Sequence, residues 1–414
     1  MKEPDVQPQS DFSLQPVPYA QRRGFWSMLI VMMGFTFFSA SMWTGGKLGT
    51  GLSATSFILA VLGGNLILGI YTGILAHIAA ITGLSTHRLA HASFGVQGSW
   101  LPSVLLGATQ VGWFGVGVVM FALPVHKVTA VPLPLLIAVG GFLMTTTAYF
   151  GIRALTALSL VAVPAIAVLG LFSVGEAVGT SGGLVSLFAM APEAPLSLSV
   201  ALTLCVGSFI SGGTLTADFT RYARSSRVAV STTVLAFFLG NSLMFIFGAV
   251  GAAVYQQADI SEVMLRQGLI VPAMLVLGLN IWTTNDSALY ASGLAFANIT
   301  GLSKKKMVLV NGALGSLCAV VLYQHFVGFL TVLGSCLPPI GAIIISDYFF
   351  HDKKRWSDST EFKAGIRLAA VMAWIFGCIA AHLLPGLPPL NGLAVAALVY
   401  LSCEFISKLR RPSL

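Results

Sequence analysis

The chain has 414 residues, of which 56% are hydrophobic and 9% charged, and its mean hydropathy is +0.88. Soluble domains average about 25% charged residues, so a water-soluble globular protein is excluded and a polytopic membrane protein is indicated. The net charge of +8 does not point to nucleic acid, because the basic residues fall almost entirely in loops on one side of the membrane, as shown below.

Residues 1–23 are polar and Pro-containing, end in Arg22-Arg23, and lack the apolar run and small-residue cleavage site of a signal peptide. A disordered cytoplasmic tail is expected there. With about 20 residues needed per crossing, apolar runs predict twelve spans, at 24–48, 53–81, 101–125, 133–150, 152–178, 198–222, 228–255, 269–297, 307–323, 326–350, 364–384 and 390–407, and a short tail at 408–414. If the N-terminus is cytoplasmic, 19 of the 22 Lys and Arg residues fall inside and only Lys47, Lys127 and Arg266 fall outside. That is the positive-inside pattern, and a miscount by one helix would break it. Five cysteines lie in apolar surroundings with no C-x-x-C pair, so neither a disulfide framework nor a zinc site is indicated. No HExxH, P-loop, dinucleotide glycine pattern or G-x-S-x-G elbow occurs, and an enzyme is not expected.

Two spans are interrupted. The first gives way at Gly34 to GFTFFSASMWTGGKLGTG, and the sixth loses its apolar character at Gly207-Ser208-Phe209-Ile210-Ser211-Gly212-Gly213. Inside a bilayer, such breaks are tolerated only against protein or a wet cavity, where freed N–H and C=O groups can receive a solute. Close helix packing through glycine is the alternative. The breaks are five helices apart, so spans one and six run in opposite directions. That predicts a five-helix inverted repeat, 24–178 and 198–350, with accessory helices at 364–407.

Other polar groups gather at the same depth. In span three, Gln110 and Trp113 share a helix face and suit a planar polar solute, unless the amide merely satisfies a neighbouring backbone. In span eight, Asn280, Thr283 and Thr284 share a face. Opposite carbonyls freed in span one, their neutral oxygens suit a hard cation such as sodium; helix-to-helix hydrogen bonding is the alternative. The membrane-embedded acids Asp218, Asp286 and Asp347 are read as gating or structural ion-pairing groups, with proton coupling as the other possibility.

Four stretches in order, FFSASMWTGGKLGTGLS, GATQVGWFGVGV, VGSFISGGTLTADFTRY and LGLNIWTTNDSALYASGL, resemble the nucleobase-cation-symport-1 family from about residue 17 through span twelve. The resemblance implies a sodium-coupled, leucine-transporter-type symporter in the bacterial cytoplasmic membrane, with both termini cytoplasmic and no obligate protein partner. It implies a substrate ring between Trp113 and Phe209, Gln110 at the ring edge, Ser208 and Ser211 at the break, and a sodium site of Gly34 and Phe37 carbonyls with Asn280, Thr283 and Thr284. Phe209 stands where the hydantoin carrier of the family has a larger Trp, which favours a single-ring ligand. Cytosine with Na⁺ is the implied cargo; uracil, a purine or a hydantoin, H⁺ coupling, or a channel are the alternatives.

Overall fold

The computed structural model describes residues 12–183, 195–325, 335–351, 356 and 364–409. The first part of span ten (326–334), both chain ends and several of the basic residues counted above (Lys2, Lys353, Lys354, Arg355, Lys363, Arg410 and Arg411) lie outside the described residues. What is described is helical, apart from turns and one isolated bridge pairing Arg23 with Ala223.

Among the described residues six helices are individually long and apolar enough to cross a bilayer, and the pair Phe25–Thr36 and Ser39–Gly51, bent by 59°, passes the same test as one broken span. Shorter or more polar helices complete the remaining spans. Span six is divided into Leu198–Gly207, Ile210–Thr214 and Thr216–Thr220, span eight is Ile270–Thr300, and span nine is Lys304–Leu317 with Ala319–Gln324. Span ten ends in Pro338–Phe350, against which spans eleven (Leu368–Leu383) and twelve (Pro388–Leu409) pack. The molecule is thus an all-α polytopic membrane protein in which broken spans one and six begin the two halves of an inverted repeat, with two further helices outside it.

The break in span one is narrower than its composition suggests. Only Phe37 and Phe38 leave the helix, and the Ser/Thr/Gly run beyond them is helical. Its glycines serve close packing: a Cβ on Gly45 would stand 2.2 Å from the Phe245 carbonyl oxygen, and one on Gly49 would stand 2.7 Å from Ala249. Span seven answers with a π-helical turn at Ala236–Asn241 between Ser226–Leu235 and Ser242–Tyr255. Such wide turns release backbone groups from the regular ladder. Here the Ala236 carbonyl accepts from Thr36 Oγ1 (3.1 Å), and Asn241 is set to accept from Ser41 Oγ (2.6 Å) and to donate to Asn65 Oδ1 (2.8 Å). Asn65 in turn donates to Ser242 Oγ at 2.8 Å. Buried side-chain hydrogen bonds of this kind lock spans one, two and seven together.

The segment expected to be a disordered tail is pinned from Phe12 onward. Val17, 1% exposed, donates its N–H to Gly83 O at 2.9 Å. Arg23 N–H reaches Tyr222 O (2.6 Å), and Arg224 N–H reaches back to Arg23 O (2.9 Å). The Arg22 guanidinium bonds the Ala80 carbonyl, and that of Arg23 bonds Thr156. A strap at the basic face therefore ties together the ends of spans two, five and six.

Candidate functional site

The two breaks meet at one pocket. It is lined by Phe35, Phe38 and Ser39 of span one, Gln110, Trp113 and Gly117 of span three, Ser208, Phe209, Ser211 and Gly212 of span six, and Thr284, Asn285 and Ser287 of span eight, and it holds about 570 Å³, mouth included. All five residues expected to hold substrate therefore line one cavity.

Phe209 sits between the first two helical pieces of span six with φ −131° and ψ −5°, outside both. Its ring is braced edge-on by Phe35 (5.0 Å between centroids, 90°) and Phe237 (5.0 Å, 89°). Phe38, at the break in span one, meets Trp113 at 4.7 Å and Phe209 at 5.7 Å, edge-on to both. These edge-to-face contacts gather five aromatic rings around the point where the two breaks meet. Ser208 spends its hydroxyl proton on Cys205 O (2.8 Å) and keeps its lone pairs. Gln110 is 6% exposed, and its Nε2 has no hydrogen-bond partner among the described residues. An unsatisfied buried polar group costs about 1–3 kcal/mol, and this one lines the aromatic cavity.

Of the expected cation residues, Asn280 and Phe37 are brought into contact. Asn280 Nδ2 donates to Phe37 O at 3.2 Å, and Asn280 Oδ1 accepts from Ser39 Oγ at 2.6 Å. Thr283 donates its hydroxyl to Leu279 O and Asn280 O (both 3.0 Å), and Thr284 donates to Asn280 O and Ile281 O (3.0 and 3.1 Å). Back-donation uses up the hydroxyl protons and leaves the lone pairs facing outward, as an oxygen ligand set requires. Gly34 lies in the last turn of the first half of span one, whose terminal carbonyls lack intrahelical donors. Its α-carbon is pressed against span five, where a Cβ would stand 2.3 Å from Ser159 Oγ.

Several lining residues escaped the sequence reading, among them Asn285, Gly117, Ser39 and Phe38. Asn285 is 3% exposed, donates Nδ2 to Phe114 O at 3.2 Å, and approaches span three so closely that a Cβ on Gly117 would stand 2.1 Å from its Oδ1. The signal for Asn285 was its place directly after the Thr-Thr pair, and that for Gly117 its place one turn beyond Trp113.

The acids lie away from this pocket. Asp347 pairs with Arg367 at 2.7 Å, and Arg367 also holds Glu404 at 2.5 Å, fastening spans ten, eleven and twelve. Asp218 accepts the N–H of Thr86 at 2.8 Å and faces His87 Nε2 at 3.7 Å. His87 and His91 lie in the linking helix Thr86–Phe94. Burial pushes the His87 imidazole down to about 3, and burial with Arg88 alongside takes His91 down to about 4, so both are neutral at ordinary pH.

Comparison with known proteins gives this geometry a family. Residues 16–404 match the family model described as permeases for cytosine/purines, uracil, thiamine and allantoin. The chain belongs to this family. It is 58% identical over 392 residues, covering 95% of the chain and 94% of the relative, to the cytosine permease of Escherichia coli (strain K12). It is 23% identical, over 93% of the chain and 87% of the relative, to the hydantoin permease of Microbacterium maritypicum. Among solved structures, a nucleobase-cation-symport-1 transporter in a closed conformation with bromovinylhydantoin bound superposes with a TM-score of 0.84 at 22% identity, covering 95% of each chain. An outward-open Na⁺-coupled sialic acid symporter reaches 0.74 at 14% identity, covering 97% of this chain and 93% of the other. These structures share the fold. The family member described here is a transporter and not an enzyme.

Proposed function

We propose that the chain imports cytosine together with Na⁺ by alternating access across the bacterial cytoplasmic membrane, with both termini in the cytoplasm. The observation that carries the substrate reading is Gln110 Nε2, which lines the aromatic pocket and has no hydrogen-bond partner among the described residues. With its N–H toward the ring, Gln110 suits cytosine, whose ring edge presents two adjacent acceptors; turned over, its oxygen would meet the donor that uracil has at one of those positions. Trp113 and Phe209 take the two ring faces, and Ser208 and Ser211 offer oxygens to the exocyclic amine. Gln110→Glu removes the donor and keeps the shape, so cytosine affinity should fall about as far as in Gln110→Ala, by about 1–3 kcal/mol. A Glu variant with near-native affinity, measured by titration of purified protein, would show that the amide oxygen is the group in use.

The sodium reading rests on Asn280. Its side chain links the carbonyl freed at Phe37 to Ser39 of the same break, and a cation admitted there would take Asn280 Oδ1 and the Phe37 carbonyl as ligands, with Thr283, Thr284 and the Gly34 carbonyl completing an oxygen shell. Because Ser39 and Thr284 line the substrate pocket as well, sodium and cytosine should each raise the other's affinity by the same factor, about 5- to 150-fold. The experiment is cytosine titration at constant ionic strength as Na⁺ replaces choline. Thr283→Ala and Thr284→Ala should abolish the dependence while binding persists at high ligand concentration.

One observation favours a second reading, proton coupling. Asp286 is fully buried, accepts from Thr147 at 2.6 Å, and leaves Oδ2 without a partner among the described residues. Sodium-independent binding, with uptake driven by a pH gradient alone, would overturn the sodium reading and bring Asp286 and Asp218 forward as proton carriers.

A further inference from the structure

A second, larger groove lies on the membrane-facing surface, far from the substrate pocket in sequence and in character. Its walls come from spans two and seven and the end of span ten, and it holds about 920 Å³, mouth included. Gly69 and Gly73 form its floor on span two, while Val234 and Phe238 form the facing wall.

These glycines are not there to let helices touch. Gly64, on the same helix, is: a Cβ there would stand 2.4 Å from that of Cys205. At Gly69 the nearest atom to an added Cβ is Phe238 Cε2 at 3.5 Å, and at Gly73 the nearest are valine methyls at 3.7 Å, ordinary van der Waals separations. Alanine would fit at both positions without displacing anything. Glycine therefore leaves open a trough that packing does not require.

The trough has a direction and a charge. It runs from Leu66 to His77, eleven residues or about 16 Å of helix, which is close to half the roughly 30 Å hydrocarbon core. One acyl chain of a single leaflet has that reach. The apolar rim is open, with Leu66, Ile70 and Phe349 each more than half exposed. At the other end His77 Nδ1 bonds Ser226 Oγ at 2.6 Å, and the His77 ring lies parallel to that of Phe349. Arg227 is exposed and precedes the groove residues Val230 and Val234 by three and seven positions, which places it on the same helix face at the mouth. Arg224, also exposed, lies just before this helix, whose N-cap is Ser225.

We propose that this groove binds one anionic phospholipid, its acyl chain laid over Gly69 and Gly73 and its phosphate at Arg227 beside the His77–Ser226 pair. Because the groove joins spans two and seven to span ten, a lipid seated there would hold the end of span ten against the bundle built on spans one, two and seven.

The test is native mass spectrometry of the purified full chain with equal amounts of phosphatidylglycerol and phosphatidylcholine. The wild type should retain one phosphatidylglycerol preferentially. Gly73→Leu and, independently, Val234→Trp fill the trough and should remove that adduct while cytosine binding stays at the wild-type level. Arg227→Gln should cut the preference for phosphatidylglycerol about fivefold, the value of one basic group at an anionic surface. Equal retention of both lipids by the wild type, or an adduct that survives both filling substitutions, would overturn the proposal. So would a change of oligomeric state in Gly73→Leu, which would assign the trough to a helix of a second copy.

Discussion

Trp113→Ala combined with Phe209→Ala should weaken cytosine binding by about 2–6 kcal/mol, because each aromatic platform contributes about 1–3 kcal/mol to stacking a base. The two rings belong to different halves of the repeat and are both bridged by Phe38, so the sum holds only if Phe38 does not swing in to replace a lost face. Phe209 is also packed against Phe35 and Phe237, and truncating it leaves a void. Phe209→Leu separates the two effects, since it fills most of the space and has no π face. Equilibrium binding of labelled cytosine, with chromatographic monodispersity as the folding control, makes the comparison. Wild-type affinity in well-folded double variants would remove both rings from the site.

Arg221→Met should destabilise the fold by about 3–5 kcal/mol, because it leaves the three acceptors of a buried guanidinium without their charged donor, at about 1–3 kcal/mol each. Arg221 is fully buried. Its guanidinium donates Nη2 to Tyr290 OH at 2.9 Å, Nη1 to Phe12 O at 2.7 Å and Nε to Asp218 O at 3.2 Å, and it lies over the Tyr222 ring. Methionine fills the volume and satisfies none of those acceptors. Lysine keeps the charge but lacks the planar fork, so Arg221→Lys should fall between the two. Thermal unfolding in detergent is the readout, and a midpoint within about 2 °C of wild type for Arg221→Met would contradict this account.

The membrane class, the span order and the two breaks were legible because each is a matter of composition: apolar runs of fixed length, then Ser and Gly where a helix should continue. Gln110 and Trp113 were legible as a pair because helical spacing puts them on one face, and Phe209 because it sits in the break of span six; that the two rings face one ligand came from the family resemblance. Asn285 was not, since a polar residue after two threonines reads equally well as glue between helices, and only the approach allowed by Gly117 sends it to the pocket. The π turn at Ala236–Asn241 leaves no compositional mark either; it shows in what Thr36 and Ser41 bond to. The strap was misread for a physical reason. Residues 12–23 are fixed largely through backbone groups and by two arginines that reach main-chain and hydroxyl oxygens, and a polar, Pro-containing composition carries no trace of either.

That strap also sets an order of events during synthesis. Arg23 pairs with Ala223 and bonds Tyr222, residues about 200 positions later, which at roughly 5–20 residues per second leave the ribosome some 10–40 s after it. Until then the segment has only span two and the start of span five to hold, and the first half of the molecule waits in the bilayer with its basic end unfastened. Closure of that end is therefore a late step, and a chain arrested before residue 222 should be cut by protease in its N-terminal segment faster than the finished protein, where backbone bonds to Gly83 and Tyr222 hold that segment in place.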